Sequence, residues 1–232
     1  MQPTYLPWAG YFHLVGSVDR FVLLDDVQFA RRSWQSRNRL LLNGCEKLVT
    51  VPVCKVSRSH PINVIGIDYT FDWRSTHLGI LEQGYRAAPF GPMVLGLVRP
   101  ILEDAPRLLV DLNERILRAC ADIVGIRTPM IRSSALGCGG TRSEHLAQIC
   151  RLLDCTAYVS PFGSKEYLER DGFEERYGIK LEFSQFIPRL YPQLHTDNFV
   201  SSLSFIDVLA HLGPAASLQY LDIPQSPKAR WL

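Results

Sequence analysis

The chain has 232 residues, of which 47% are hydrophobic and 21% are charged, so we expect a globular core and not wholesale disorder. Its formal net charge of +2 does not indicate a nucleic-acid-binding protein, although the chain could still carry a local basic patch. No apolar run approaches the roughly 18 to 20 residues that span a bilayer, and no signal peptide is evident, so we expect a cytoplasmic protein without a membrane partner.

The first seventy residues are predicted to be rich in β-structure. Apolar runs alternate here with turn residues, and Asn43-Gly44 lies between two of these runs, which is the pattern of a tight β-hairpin. The expected elements are a helix over 10–18 and strands over 20–26, 38–42, 47–53 and 64–68.

The middle of the chain is predicted to be helical. Asp72 is placed to cap a helix that runs to about residue 87, where Pro89 interrupts it. Apolar residues then recur at helical spacing over 93–102 and 106–126. We expect these helices, over approximately 72–126, to cover the sheet or to form an inserted helical lobe.

The remainder is predicted to alternate between strands and helices. Thr141 and Glu144 have the spacing of a capping box at the start of one helix. Alternation of this kind favours parallel pairing with right-handed crossovers, here between the first two strands. The expected elements are strands over 129–133, 157–160 and 180–186, helices from Thr141, over 165–177 and over 205–212, and a tail over 224–232.

The sequence therefore predicts one α/β domain over 1–232. Its core would be a mostly parallel sheet built from β-α-β units, with an N-terminal hairpin and an inserted helical lobe. The sequence predicts no oligomeric state.

Two carboxylates follow the apolar run 21–24. Asp25 and Asp26 would lie at the carboxyl end of a strand, where open α/β sheets place their ligand sites. Adjacent side chains on a strand point to opposite sides, so we expect one carboxylate to face a cleft. The other would cap backbone or pair with an arginine. The first could orient a substrate ammonium or act as a base, and a solvated turn is the simpler alternative.

Two arginines are predicted to share one face of the hairpin. Arg37 and Arg39 alternate with Asn38 on an extended segment, and two guanidinium groups on one face suit a phosphate or a carboxylate. A solvated hairpin strand is the alternative.

A third candidate is the proline-stiffened loop 2–8, which runs into a helix start and could bind an anion or pack Trp8 into the core.

Single residues elsewhere also carry possible chemistry. His77 lies in the middle of a helix, where it could take a proton near neutral pH or simply pack. Ser160 ends a predicted strand and is expected at the same sheet edge as Asp26, and Lys165 could contact a phosphate at the next helix start. Hydrolase-elbow, P-loop and dinucleotide fingerprints are absent, and the six cysteines lack metal-binding spacing. We predict neither a metal nor a cofactor.

Several segments of the chain resemble one known family. The N-terminal motifs are Q-P-T-Y-L-P-W-x-G-Y-F from residue 2, F-V-x-L-D-D-V-Q-F from residue 21 and R-S-W-Q-x-R-N-R from residue 32. They resemble the WbqC-like family of bacterial proteins, and Pro161 departs from the glycine that is usual there. Later matches are Trp73, His77-Leu78 and Tyr85, then Tyr158-Val159-Ser160 with Tyr167-Leu168, then residues 203–207 with Leu212-Gly213-Pro214.

The resemblance implies a link to bacterial surface-polysaccharide and secondary-metabolite biosynthesis. It implies a transferase that moves an aminoacyl group, glycyl in particular, to an amino sugar or related amine. A non-catalytic nucleotide-sugar-binding protein is one alternative, and a transferase that uses a charged tRNA is another. Otherwise the expected partner is a small molecule, such as a nucleotide-sugar or an aminoacyl donor. The expected catalytic residues are Asp25, Asp26 and His77, and the expected substrate-binding residues are Gln2, Tyr5, Trp8, Gln28, Arg37, Asn38, Arg39, Tyr85, Ser160, Lys165 and Tyr167.

Overall fold

The computed structural model of the chain describes residues 1–55 and 59–224, so the predicted tail beyond Pro224 lies outside the described residues. The described residues form a mixed α/β fold with eight α-helices and three two-stranded sheets. The helices are α1 (Ala9–Gly16), α2 (Trp73–Tyr85), α3 (Gly91–Glu103), α4 (Leu109–Ile123), α5 (Arg142–Leu152), α6 (Lys165–Arg170), α7 (Phe173–Tyr177) and α8 (Phe205–Tyr220). The strands are β1 (Phe21–Leu23), β2 (Arg37–Leu42), β3 (Cys45–Thr50), β4 (Met130–Arg132), β5 (Ala157–Pro161) and β6 (Lys180–Ser184).

The predicted N-terminal hairpin is confirmed. Strands β2 and β3 pair in antiparallel register, with Leu42 opposite Cys45 across a two-residue turn. Asn43 and Gly44 both adopt positive φ, at 51° and 75°, which is the backbone that tight hairpin turns require. Gly44 also lies so close to the His195 carbonyl that a Cβ atom there would meet its oxygen at 1.9 Å.

The prediction of one mostly parallel sheet is wrong in its strand pairing. Strand β4 pairs in parallel with β1, and β5 pairs in parallel with β6, so 129–133 does not pair with 157–160. Strand β4 passes directly into a 3-10 turn at Ser133–Ala135, where both serine hydroxyls bind Asp25. That turn ends the β1–β4 ladder after three residues.

The helices of the predicted lobe belong to the main core. Helices α2, α3 and α4 pack in series, α2 also packs on β2, and α3 also packs on α8. Their buried residues, such as Leu81, Val98 and Ile116, lie in the same hydrophobic cluster as Phe12 and Phe205 of the terminal helices. Because these faces are buried against the rest of the chain, 72–126 does not stand out as an inserted lobe.

Helix boundaries follow the local signals in some places and depart from them in others. Asp72 caps α2 as predicted, since its carboxylate accepts the Ser75 N–H at 3.3 Å. Thr141 precedes α5, but its side chain makes no capping bond, so the predicted capping box is wrong. The predicted helix 165–177 is two short helices, because Gly172 adopts a φ of 62° between them.

Two further local predictions also need correction. The expected strand over 64–68 is replaced by a 3-10 turn at Ile62–Val64 and isolated bridges from Gly66 and Ile67. The last helix does not stop at Gly213, although its φ of 72° introduces a kink. It continues to Tyr220 because Pro214, which lacks an N–H, is tolerated at the first position of the new helical segment.

Gly91 should be far more sensitive to substitution than Gly96 on the same helix. A Cβ atom at Gly91 would lie 1.7 Å from the Tyr85 carbonyl oxygen, whereas a Cβ atom at Gly96 meets nothing within 4 Å. We expect Gly91→Ala to lower the free energy of unfolding by about 1–3 kcal/mol or more through overpacking. Gly96→Ala is the matched control and should raise it by up to about 1 kcal/mol through helix propensity. Equal effects of the two substitutions in urea unfolding would contradict the close packing of α2 on α3.

Candidate functional site

The carboxyl ends of the parallel strands β1 and β4 form a polar edge. Asp25 is fully buried, and its carboxylate accepts hydrogen bonds from the Ser134 N–H at 2.9 Å and the Ser134 hydroxyl at 2.7 Å. The Ser133 hydroxyl accepts the Asp25 N–H at 3.2 Å and lies within hydrogen-bond distance of the Asp25 and Asp26 carboxylates. Asp25 therefore fixes the turn after β4, and Asp26 projects beside it.

Asp26 is held through one carboxylate oxygen only. Its Oδ1 accepts the Ser133 hydroxyl and lies 3.2 Å from Nε2 of His145. Its Oδ2 has no hydrogen-bond partner among the described residues and is not a buried atom, and the side chain keeps 21% of its surface exposed. This oxygen is thus fixed in position and open to a ligand.

His145 completes this edge from the first turns of α5. Its Nδ1 lies 2.8 Å from the Gly139 carbonyl oxygen, while Nε2 faces Asp26. Both neighbours are oxygen acceptors, so a ring nitrogen that carries a proton can donate to the one that it faces. Nearby, burial and the Asp26 charge raise the pKa of the Cys138 thiol, which disfavours a thiolate nucleophile there.

The N-terminal loop is fixed by a second polar network. The Asn38 side chain donates to the carbonyls of Tyr5 and Leu6 at 3.0 and 2.7 Å, and Gln35 donates to the Gln2 side chain at 2.8 Å. These bonds hold Leu6 in a backbone conformation with a φ of 46°. Asn38 therefore acts on the loop backbone, and Gln2 remains at the exposed end of the network.

His77 lies under this loop and is only 4% exposed. The Tyr5 hydroxyl contacts its Nδ1 at 2.9 Å, and the Trp73 ring packs edge-on against it at 5.0 Å. Burial lowers the pKa of His77 from 6.5 to about 4, against an opposing hydrogen bond to the Thr50 backbone. The ring is therefore neutral near pH 7 and is held by a hydroxyl and a backbone group. Its catalytic role stays a prediction.

The two hairpin arginines both lie close to one exposed tryptophan. The guanidinium carbons of Arg37 and Arg39 lie 5.8 and 5.3 Å from the centre of the Trp34 ring, which is 48% exposed. Arg39 binds Glu46 at 2.9 Å and the Ser202 carbonyl at 3.2 Å. The shared face was predicted, but the arginines line different cavities, so they do not form one bidentate pair in this arrangement.

Arg39 belongs to a small cavity beside the N-terminal loop. Its volume is about 200 Å³, and Trp8, Trp34 and Asn38 are among its lining residues. Thr4 also lines it and carries a buried hydroxyl without a hydrogen-bond partner in the described chain. Trp8 is half-buried and packs edge-on against Phe186 at 5.7 Å, so it contributes to both the cavity and the core.

The remaining predicted site residues are dispersed. Tyr85 is fully buried, and its oxygen accepts the Leu41 N–H at 3.0 Å. Ser160 is buried in β5, which belongs to a different sheet from β1, so the predicted common edge with Asp26 is wrong. Lys165 pairs with Glu169 at 3.6 Å on α6. Tyr167 is half-buried on the same helix, and Gln28 is exposed at a bridge with Pro61.

Sequence reasoning missed the partners of the carboxylates. Ser133 ends the predicted strand 129–133 and Ser134 follows it, but no local pattern indicates that this strand pairs with the strand that precedes Asp25. His145 lies 119 residues from Asp26 in the chain and carries no local signal. In the described parts of the chain no group of three or more metal-ligating side chains is found, and no helix has the length and apolarity of a membrane span.

The comparisons agree with the motifs in the sequence. A model of the WbqC-like protein family matches residues 2–219, so the chain belongs to that family. The Mycobacterium tuberculosis H37Rv protein named "Uncharacterized protein Rv1507c" is 33% identical over 219 residues, which cover 93% of this chain and 94% of that protein. No solved structure matched the chain.

Proposed function

We propose that the chain is a transferase that moves an acyl group, an aminoacyl group in particular, onto the amino group of a small molecule. In such a reaction the amine nitrogen bonds to the acyl carbon and the bond from that carbon to the leaving group breaks. An amine that binds as an ammonium gives up one proton to a base before its nitrogen attacks, and a second N–H proton passes to the leaving group as the amide forms. The site must therefore supply a group that can hold an ammonium and accept the first proton.

One observation carries this proposal. Asp26 has one oxygen fixed by Ser133 and His145 and a second oxygen without a partner among the described residues. A carboxylate held in this way can orient a substrate ammonium without first breaking an internal hydrogen bond. In the proposal Asp26 binds the amine and accepts its proton. Asp25 and His145 position Asp26, and the hairpin arginines bind the anionic part of a substrate.

The experiment is a transfer assay with the purified chain. Glycyl thioester and glycyl-tRNA serve as donors, and a free amino sugar and a nucleotide-linked amino sugar serve as acceptors. Mass spectrometry should detect an amide product that depends on the chain. If ligands stabilise the chain but no donor and acceptor pair yields an amide, the transferase proposal fails and a non-catalytic binding protein becomes the better account.

A further inference from the structure

A groove of about 440 Å³ lies between the loop that follows Asp26 and the β2–β3 hairpin. Its floor is apolar, since Phe29 and Val51 line it and are only 5% and 1% exposed. Its described lining residues include no carboxylate. Four of them are cationic, namely Arg31, Arg32, Arg37 and Lys55.

Most of this positive charge is not neutralised within the protein. Seven described arginines outside the groove form ion pairs with carboxylates, as Arg39 does with Glu46. Arg32, Arg37 and Lys55 have no ion-pair partner among the residues that the structure describes. Like charges that converge without counter-charges are unfavourable, and a bound anion relieves their repulsion.

Arg37 also carries a buried donor that nothing satisfies. Its Nε has almost no solvent contact and no hydrogen-bond partner in the described chain. Buried N–H groups of this kind are costly to leave unpaired. The guanidinium carbon lies 5.8 Å from the centre of the Trp34 ring, which gives it one cation–π contact. An anion in the groove could use the remaining donors of this fixed fork.

We propose that this groove binds an organic phosphate, with the phosphate on the cationic rim and the apolar part of the ligand over Phe29 and Val51. The volume is in the range of small-molecule sites, and an apolar floor with a few placed charges is their usual composition. A small-molecule ligand fits better than RNA, because the net charge of +2 supplies no wider basic surface.

The groove is close enough to Asp26 to hold the other end of the same substrate. Arg31 is five positions after Asp26 in the chain, so their Cα atoms lie within about 18 Å of each other. The assignment of the ligand as part of the transferase substrate rests on the proposed function, whereas phosphate binding itself does not.

The experiment measures binding of uridine diphosphate and of uridine by isothermal titration calorimetry. Wild type should bind the diphosphate and should bind uridine much more weakly. Arg37→Gln should weaken diphosphate binding roughly tenfold or more, as the loss of a charge-assisted hydrogen bond predicts. Lys55→Gln, at an exposed position, should also weaken it. Arg127→Gln is the control, because Arg127 is exposed and paired with Asp122 on α4, and it should bind as wild type does.

Each outcome decides for or against the groove. No binding of the diphosphate, wild-type affinity in both groove variants, or an equal loss in Arg127→Gln would overturn the assignment. So would tight binding of a single-stranded RNA without binding of the diphosphate. If the diphosphate binds normally but no amide forms, the transferase proposal fails and the groove proposal stands. If transfer depends on Asp26 but its rate is unchanged in Arg37→Gln, the groove is not part of the substrate site.

Discussion

Asp26→Asn should lower the rate of acyl transfer by about 10² to 10⁴, the usual contribution of a general acid or base. Asparagine is nearly isosteric and its oxygen can still accept the Ser133 hydroxyl. It has no charge to hold an ammonium and no basic oxygen to take its proton. Steady-state kinetics should therefore show a lower kcat together with a higher KM for the amine acceptor, with little change in the melting temperature.

The matched control is Asp122→Asn, which removes an exposed carboxylate 69% open to solvent. It should leave the transfer rate unchanged, and Asp26→Glu should restore part of the activity lost in Asp26→Asn. Wild-type turnover by Asp26→Asn would exclude Asp26 from the chemistry. If His77→Gln instead lost transfer activity while still binding substrate, the catalytic site would lie at the loop that covers His77 and not at Asp26.

His77 should make the stability of the protein strongly dependent on pH in the acid range. Its pKa falls from 6.5 to about 4 on folding, because burial beside Tyr5 and Trp73 disfavours the charged ring. As the pH falls below 6.5, His77 becomes protonated in the unfolded chain, whereas in the folded chain it stays neutral until about pH 4. The associated stability is complete above pH 6.5 and is lost progressively down to pH 4. The slope is about 1.4 kcal/mol per pH unit and the total is about 3 kcal/mol.

Urea unfolding of wild type and His77→Gln between pH 4 and pH 7 measures this contribution. Glutamine stays neutral throughout, so the variant should lose less stability over this range, whatever its absolute stability. The carboxylates titrate in both proteins and cancel in the comparison. Parallel curves for wild type and His77→Gln would show that burial of this ring does not perturb its titration.

His77 and His145 lie in different environments. His77 has a ring wedged between Tyr5 and Trp73, whereas His145 faces the carboxylate of Asp26. Burial lowers the pKa of His77 and so favours its neutral ring. The His145 ring lies between two oxygen acceptors, the Gly139 carbonyl and the Asp26 carboxylate. The motif that points to His77 in the sequence carries no information about either environment.

The sequence by itself determined the features that depend on neighbouring residues. Asn43-Gly44 specifies the hairpin because both residues tolerate positive φ, and Asp72 specifies the start of α2 because its carboxylate reaches an unpaired N–H within one turn. The N-terminal motifs also identified the family, and the pair of carboxylates after an apolar run marked the polar edge.

Only the tertiary structure decided which of these features meet. Strand β1 pairs with β4, and the fold places Ser133 and His145 beside Asp26. These two residues lie 107 and 119 positions from Asp26 in the sequence. The same packing separated Arg37 from Arg39 into two cavities, although they share one strand face. Pairings over such distances are set by the fit of the whole core, so no local pattern near Asp26 could have predicted its partners.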